Sequence, residues 1–156
     1  MTGALRTSPA LRGGRSWHAA VVYASSPDPA AAVPPRILIV DDDFFITMES
    51  EMTLREAGFV VVGTAATAEE ALRLAEEHRP DLVLMDIRLA GSRDGVETAC
   101  EMRAALGIPS LYVTAHSDPQ TRSRGERARP LGWVEKPFSG PRLVQAVKAA
   151  LKRLEG

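Results

Sequence analysis

The 156-residue chain has almost no cysteine and no excess of either charge, and each shortage excludes something. A single cysteine, Cys100, makes no internal disulfide. It falls in a helical pattern where a small buried apolar residue is expected, in keeping with a reducing, intracellular setting. Lysine and arginine number 19 against 20 aspartate and glutamate, a balance that leaves no footprint for a polyanion, so no nucleic-acid partner is expected. No apolar run approaches the ~20 residues that cross a bilayer, so no membrane association is expected and the reading is cytoplasmic. What is present is 45% hydrophobic residues, enough for one domain with a genuine core.

Residues 1–35 differ in texture from the rest. They carry Arg6, Arg12 and Arg15 with no acidic residue before Asp28, followed by AAVVYA, a faint likeness to a leader segment. The stretch SSPDPAAAVPP reads more simply as part of a disordered extension, or of one that begins at a start codon set too far upstream. Such a composition offers little apolar surface against the entropy of ordering. The folded domain is expected over residues 36–156, ending with the fifth helix and leaving no segment for a DNA-binding module.

After Pro35, short apolar runs alternate with helical patterns. Five strands are expected: RILIV at 36–40, FVVVGTA at 59–65, DLVLMDI at 81–87, SLYVTA at 110–115 and GWVEK at 132–136. Most are β-branched and apolar almost throughout, the signature of strands buried on both faces of a parallel sheet. Between them lie helices. In TAEEALRLAEEH, Thr67 and Glu70 have capping-box spacing, and Ala71, Leu74 and Ala75 share a face. GVETACEMRAAL reads the same way, as does GPRLVQAVKAALKRL, whose stripe is Leu143, Val147, Leu151 and Leu154. The first helix, FFITMESEMTLREAG, has its apolar face interrupted by Glu49, Ser50 and Glu51, with Gly58 as a stop. The fourth, DPQTRSRGERARP, is arginine-rich with no apolar stripe and a proline at each end, and is expected to be short, mobile or partly unfolded.

Five strand–helix repeats with right-handed crossovers give an α/β, doubly wound parallel sheet with helices on both faces. In that architecture a site lies at the carboxyl ends of the strands. The residues there are Asp41 and Asp42 after the first strand, Asp86 at the end of the third, Thr114 of the fourth and Lys136 of the fifth. Two like charges about 4 Å apart repel by about 1 kcal/mol in water and by ~4 kcal/mol at an effective dielectric of 20. Three carboxylates in one crevice therefore call for a cation or a raised pKa. An all-oxygen set favours a hard ion, Mg2+ above others. Lysine and a hydroxyl beside it suit a multiply charged tetrahedral oxyanion, and an aspartate can serve as the nucleophile in phosphoryl transfer. These residue types leave open which aspartate is attacked.

ILIVDDD, LVLMDIRL, the Asp94–Gly95 pair, YVTA and WVEKPF occur in this order and together resemble the receiver domain of bacterial two-component response regulators, over about residues 36–154. The resemblance implies a flavodoxin-like five-stranded sheet of order 2-1-3-4-5. It implies Asp86 as phosphoacceptor, taking its phosphoryl group from a sensor histidine kinase or a histidine phosphotransfer protein. Asp42 and Asp86 would hold Mg2+ directly with the Arg88 carbonyl, and Asp41 through water. Thr114 and Lys136 would hold the phosphoryl oxygens, and a cis peptide would precede Pro137.

Signalling would couple Thr114 to inward movement of Trp133, where tyrosine or phenylalanine is commoner, and would reach an unknown protein partner through the fourth helix, fifth strand and fifth helix. Arg88 and His116 occupy the positions that tune dephosphorylation, and their bulk implies a shielded, slowly lost phosphoryl group. The loop DIRLAGSRDG is one residue longer than usual, with Ala90 where proline is common. On this reading the chain is a single-domain response regulator and not an enzyme beyond its own phosphorylation and dephosphorylation. Two alternatives share its chemistry: a phosphorelay shuttle to a histidine phosphotransfer protein, and a Mg2+-dependent aspartate-nucleophile phosphatase using the DxD spacing of Asp41 and Asp43.

Overall fold

The computed structural model describes residues 32–156, so most of the expected N-terminal extension lies outside the described residues. Strands and helices alternate as β1 (Arg36–Val40), α1 (Phe44–Glu56), β2 (Val60–Ala65), α2 (Ala68–His78), β3 (Leu82–Met85), α3 (Gly95–Glu101), β4 (Ser110–Thr114), α4 (Pro119–Gly125), β5 (Trp133–Glu135) and α5 (Gly140–Glu155). A π-helical turn, Met102–Leu106, prolongs α3, and a 3-10 turn, Glu126–Ala128, prolongs α4. All strand pairs are parallel, in the order 2-1-3-4-5. Strands two to five are one to three residues shorter than the apolar runs that announce them.

The strands are apolar throughout because the pleat sends alternate residues to two separate helical layers. Ile37, Ile39, Leu82, Leu84, Leu111 and Val113 face Leu54 of α1 and Leu143 and Val147 of α5. Their neighbours Leu38, Val40, Val83, Met85 and Tyr112 face Ala71 and Ala75 of α2 and Val96, Ala99 and Met102 of α3 and its π turn. Each fully buried large aliphatic side chain contributes about 1.5–3 kcal/mol, so both layers are needed to hold the sheet. Cys100 is half-buried against the second layer, and among the described residues no helix is long and apolar enough to cross a membrane.

Every helix begins at the site end of the sheet on a side-chain cap: Asp43, Thr67, Asp94, Asp118 and Ser139 each accept a hydrogen bond from the first turn. The first four helical segments are each followed, at the far end, by a left-handed residue: Gly58, Arg79, Gly107 and Arg129. Two details correct the sequence reading. Leu154 is 44% exposed, the inner stripe of α5 being completed instead by Ala146 and Ala150. On α1 four large apolar residues face outward, Phe44, Phe45, Met48 and Met52 being exposed while Ser50 and Leu54 are buried. The fourth helix is short, as expected, and forms one seven-residue segment before its 3-10 turn.

Candidate functional site

The site follows from strand register. Val40 pairs with Met85, so Asp41 and Asp86 leave two adjacent central strands at the same level. The ladder continues into them: the Asp86 amide donates to the Val40 carbonyl at 2.9 Å, and the Asp41 amide to the Ala65 carbonyl at 2.9 Å. On the other side, the Lys136 amide donates to the Thr114 carbonyl at 3.0 Å. From there the lysine side chain reaches back over the rim. Its Nζ donates to Asp41 Oδ2 at 2.5 Å and to Asp86 Oδ2 at 2.9 Å.

Both carboxylates are almost wholly buried, at 6% exposure each, and the lysine side chain is 14% exposed. Burial pushes the Asp41 carboxyl above its ordinary value, a push that the Lys136 hydrogen bond only partly offsets. Burial works to lower the Lys136 pKa, but hydrogen bonds to Asp41 and Asp86 outweigh it and hold the ammonium above its usual range. Asp86 Oδ1 accepts from the Ile87 amide at 2.7 Å, which fixes the rotation of its carboxylate.

Asp42 is exposed beside this pair, and Asp41, Asp42 and Asp86 each present an oxygen within 4.8 Å of the others. A crevice of about 170 Å³, bordered in part by Asp41, Asp42, Thr47 and Glu70, opens next to them. The donor set is all oxygen, with no thiolate or imidazole, and fits a hard divalent ion. Asp43, third in the run, has a different task. Its carboxylate accepts from the Phe45 amide at 2.9 Å and the Ile46 amide at 3.2 Å, capping α1.

Thr114 is fully buried, and its Oγ1 accepts from the His116 amide at 3.1 Å. Arg88 is exposed and His116 half-buried, on the loops after β3 and β4. The Lys136–Pro137 peptide is cis. Trp133 packs against α4 and its 3-10 turn: its ring lies 4.4 Å from that of Tyr112. The Arg122 guanidinium covers it at 4.8 Å, and its Nε1 donates to Glu126 at 3.2 Å.

Several residues of the site's surroundings escape a reading of the sequence. The Gly95 amide donates to the Ile87 carbonyl at 2.6 Å, and a Cβ on Gly95 would fall 1.8 Å from the Asp86 carbonyl oxygen. Asp94 caps α3 through the Glu97 amide at 3.0 Å and also accepts from Arg124 of α4 at 2.6 Å. Burial acts to raise the Asp94 pKa, but the Arg124 hydrogen bond and the Glu97 amide prevail and hold it below the ordinary value. Gly125 lies under Trp133, and Tyr112 donates its hydroxyl to the Gly125 carbonyl at 3.2 Å. The paired Asp94 and Gly95 were visible as a motif, but their partners are fixed only by the tertiary fold.

A parallel sheet of order 2-1-3-4-5 whose central strands end in a lysine-bridged acidic cluster places the molecule among the receiver-type α/β domains. The chain belongs to the response regulator receiver domain family, whose model matches residues 37–148. It is 39% identical over 126 residues to the transcriptional regulatory protein PdtaR of Mycobacterium tuberculosis, a match covering 81% of this chain and 61% of PdtaR. It is 32% identical over 123 residues to the phyllosphere-induced regulator PhyR of Methylorubrum extorquens, covering 78% of this chain and 45% of PhyR. The chain thus spans less than two thirds of the length of these curated relatives. Among solved structures, the signal receiver domain of a modulated diguanylate cyclase from Desulfovibrio desulfuricans G20 superposes with a TM-score of 0.72 at 35% identity, covering 80% of this chain and all of that one. A CheY-like receiver domain protein from Methanospirillum hungatei JF-1 gives 0.71 at 28% identity, with the same coverage.

Proposed function

We propose that the chain is a phosphoryl-accepting signalling domain whose acceptor is Asp86. The observation that carries this reading is the Lys136 ammonium bonded at once to Asp41 and Asp86 at the ends of adjacent central strands. Such an arrangement orients a buried carboxylate while holding a cation where negative charge accumulates. In the reaction, a carboxylate oxygen of Asp86 bonds to phosphorus as the bond from phosphorus to the donor's imidazole nitrogen breaks. The electron pair goes to that nitrogen, which leaves with a proton. Lys136 then pairs with phosphoryl oxygens, and Thr114 supplies a hydrogen bond from the neighbouring strand.

Asp42 and Asp86, with the Arg88 carbonyl, would hold Mg2+, and Asp41 would act through water. When bound, the ion supplies charge neutralisation for the transferred group. The donor class is a sensor histidine kinase or a histidine phosphotransfer protein. The output is a protein contact made by α4, β5 and α5, and the chain's chemistry is confined to its own phosphorylation and dephosphorylation. Arg88 and His116 flank the approach of the attacking water, and their bulk lengthens the life of the adduct. Decay measured after removal of donor should be faster in Arg88→Ala and His116→Ala; unchanged half-lives would remove this role.

The test of the central reading is intact mass after incubation with acetyl phosphate and Mg2+, for the native protein and Asp86→Ala. One added phosphoryl group, absent from the variant and absent without Mg2+, is expected. An adduct retained in Asp86→Ala would overturn the assignment.

A further inference from the structure

The α4 segment has an unusual attachment to the rest of the molecule. It contains Gly125, two arginines and no apolar stripe, so its intrinsic and packing stability are both low. Polar contacts hold it instead. Tyr112 donates to the Gly125 carbonyl, Arg122 covers Trp133, and Arg124 Nη2 donates to Asp94 Oδ2 at 2.6 Å. The first two reach β4 and β5. The third reaches the loop that carries the acceptor.

Asp94, at the end of that loop, is held from both α3 and α4. One carboxylate oxygen accepts from the Glu97 amide, the other from Arg124, and its carbonyl accepts from the Thr98 hydroxyl at 2.7 Å. The next residue, Gly95, donates its amide to the Ile87 carbonyl, and its Cα rests against the Asp86 carbonyl so closely that no side chain fits between. Ile87 in turn donates its amide to Asp86 Oδ1. An unbroken set of contacts therefore runs from the Arg124 guanidinium through Asp94 and Gly95 to the peptide and carboxylate of Asp86.

We propose that Arg124 is a positioning residue for Asp86, acting through Asp94 and Gly95, and that this link couples the hold on α4 to the phosphorylation state of the acceptor. The inference rests on Asp86 being the phosphoacceptor. Because α4 is held by few and polar contacts, it belongs to the part of the fold that opens at low cost, which makes it an element that a distant contact can bias. Coupling between two sites is reciprocal: if α4 steadies the acceptor, phosphorylation alters the opening of α4.

The test compares the native protein with Arg124→Gln, Arg124→Lys, Asp94→Asn and the Arg124→Gln/Asp94→Asn double variant, using acetyl phosphate and Mg2+. Asparagine caps helices as well as aspartate, so Asp94→Asn removes the charge and leaves the cap. Two quantities are read: the rate at which the adduct forms on Asp86, and amide hydrogen exchange over residues 119–128 before and after phosphorylation. Each single variant is expected to slow phosphorylation about three- to tenfold, with the double variant no slower than the worse single one. Arg124→Lys should recover at least half of the lost rate, and the exchange change seen in the native protein should be absent from Arg124→Gln. Native-rate phosphorylation of Arg124→Gln, additive losses in the double variant, or an exchange response surviving in Arg124→Gln would each overturn the link. Absence of any adduct on the native protein would instead remove the acceptor assignment, and the link with it.

Discussion

Gly125 and Trp133 meet so closely that a Cβ built on the glycine would stand 2.7 Å from the indole Cη2. The slot exists because α4 has no side chain there, and the Tyr112 ring closes its other wall. Gly125→Ala forces the indole or the helix to move, and overpacking of this kind costs about 1–3 kcal/mol. Urea unfolding should show that loss. In a Trp17→Phe background, where Trp133 is the remaining tryptophan, its emission should shift as well. A variant with native stability and native emission would show that the slot is loose.

Gly95 presents a stricter case, because what lies 1.8 Å from its hypothetical Cβ is backbone and not a yielding side-chain end. Gly95→Ala must displace the peptide of Asp86 or the start of α3. Intact-mass kinetics with acetyl phosphate should show phosphorylation slowed at least about tenfold, in line with the sensitivity of reaction geometry to small misplacements. Native kinetics would mean that the acceptor tolerates a shifted backbone.

The Asp94–Arg124 contact also sets a pH dependence. The Asp94 pKa in the folded protein lies below its ordinary value of 3.8, so its contribution to stability is complete above that value and is lost as the pH falls through the depressed folded value. The stability difference between the native protein and Asp94→Asn should therefore be flat from neutral pH to about pH 5 and shrink towards zero in more acid solution. Chemical denaturation at a series of pH values measures it. A difference that grows on acidification would reverse the sign.

On α1, apolar character and burial part company, and the consequence is measurable. Leu54→Ala opens a cavity in the first core layer and should cost about 2–5 kcal/mol. Phe45→Ser removes a larger apolar group, but from a position 74% exposed, and should stay within about 0.5 kcal/mol of native. Urea midpoints for the two variants decide the matter. A large loss from Phe45→Ser would mean that this ring is covered in solution.

The same helix marks the boundary of what the sequence makes legible. The sheet was readable because parallel strands buried on both faces need apolar residues at every position, and RILIV or LVLM cannot be mistaken for an amphipathic surface. The rim was readable because Asp41, Asp86, Thr114 and Lys136 recur at successive strand ends. Helix orientation was harder, since the rotation of α1 is set by Leu54 and the Asp43 cap while its larger apolar residues point to solvent. Nothing in the sequence around Gly125 announces its purpose, which is space for an indole supplied from another strand. The Arg124–Asp94 pair is separated by 30 residues, and neither side chain announces its partner.

The left-handed residues that close the first four helical segments have an implication for how the molecule tolerates change. Gly58, Arg79, Gly107 and Arg129 all lie at the end of the sheet remote from Asp86, where each helix turns back into a strand. Extra residues inserted there lengthen a return without altering the pairing that levels Asp41 with Asp86, whereas one residue added inside β1 or β3 exchanges the two core layers and misaligns the rim. The domain therefore has a permissive end and an intolerant one, and a fusion or a reporter loop belongs at the first.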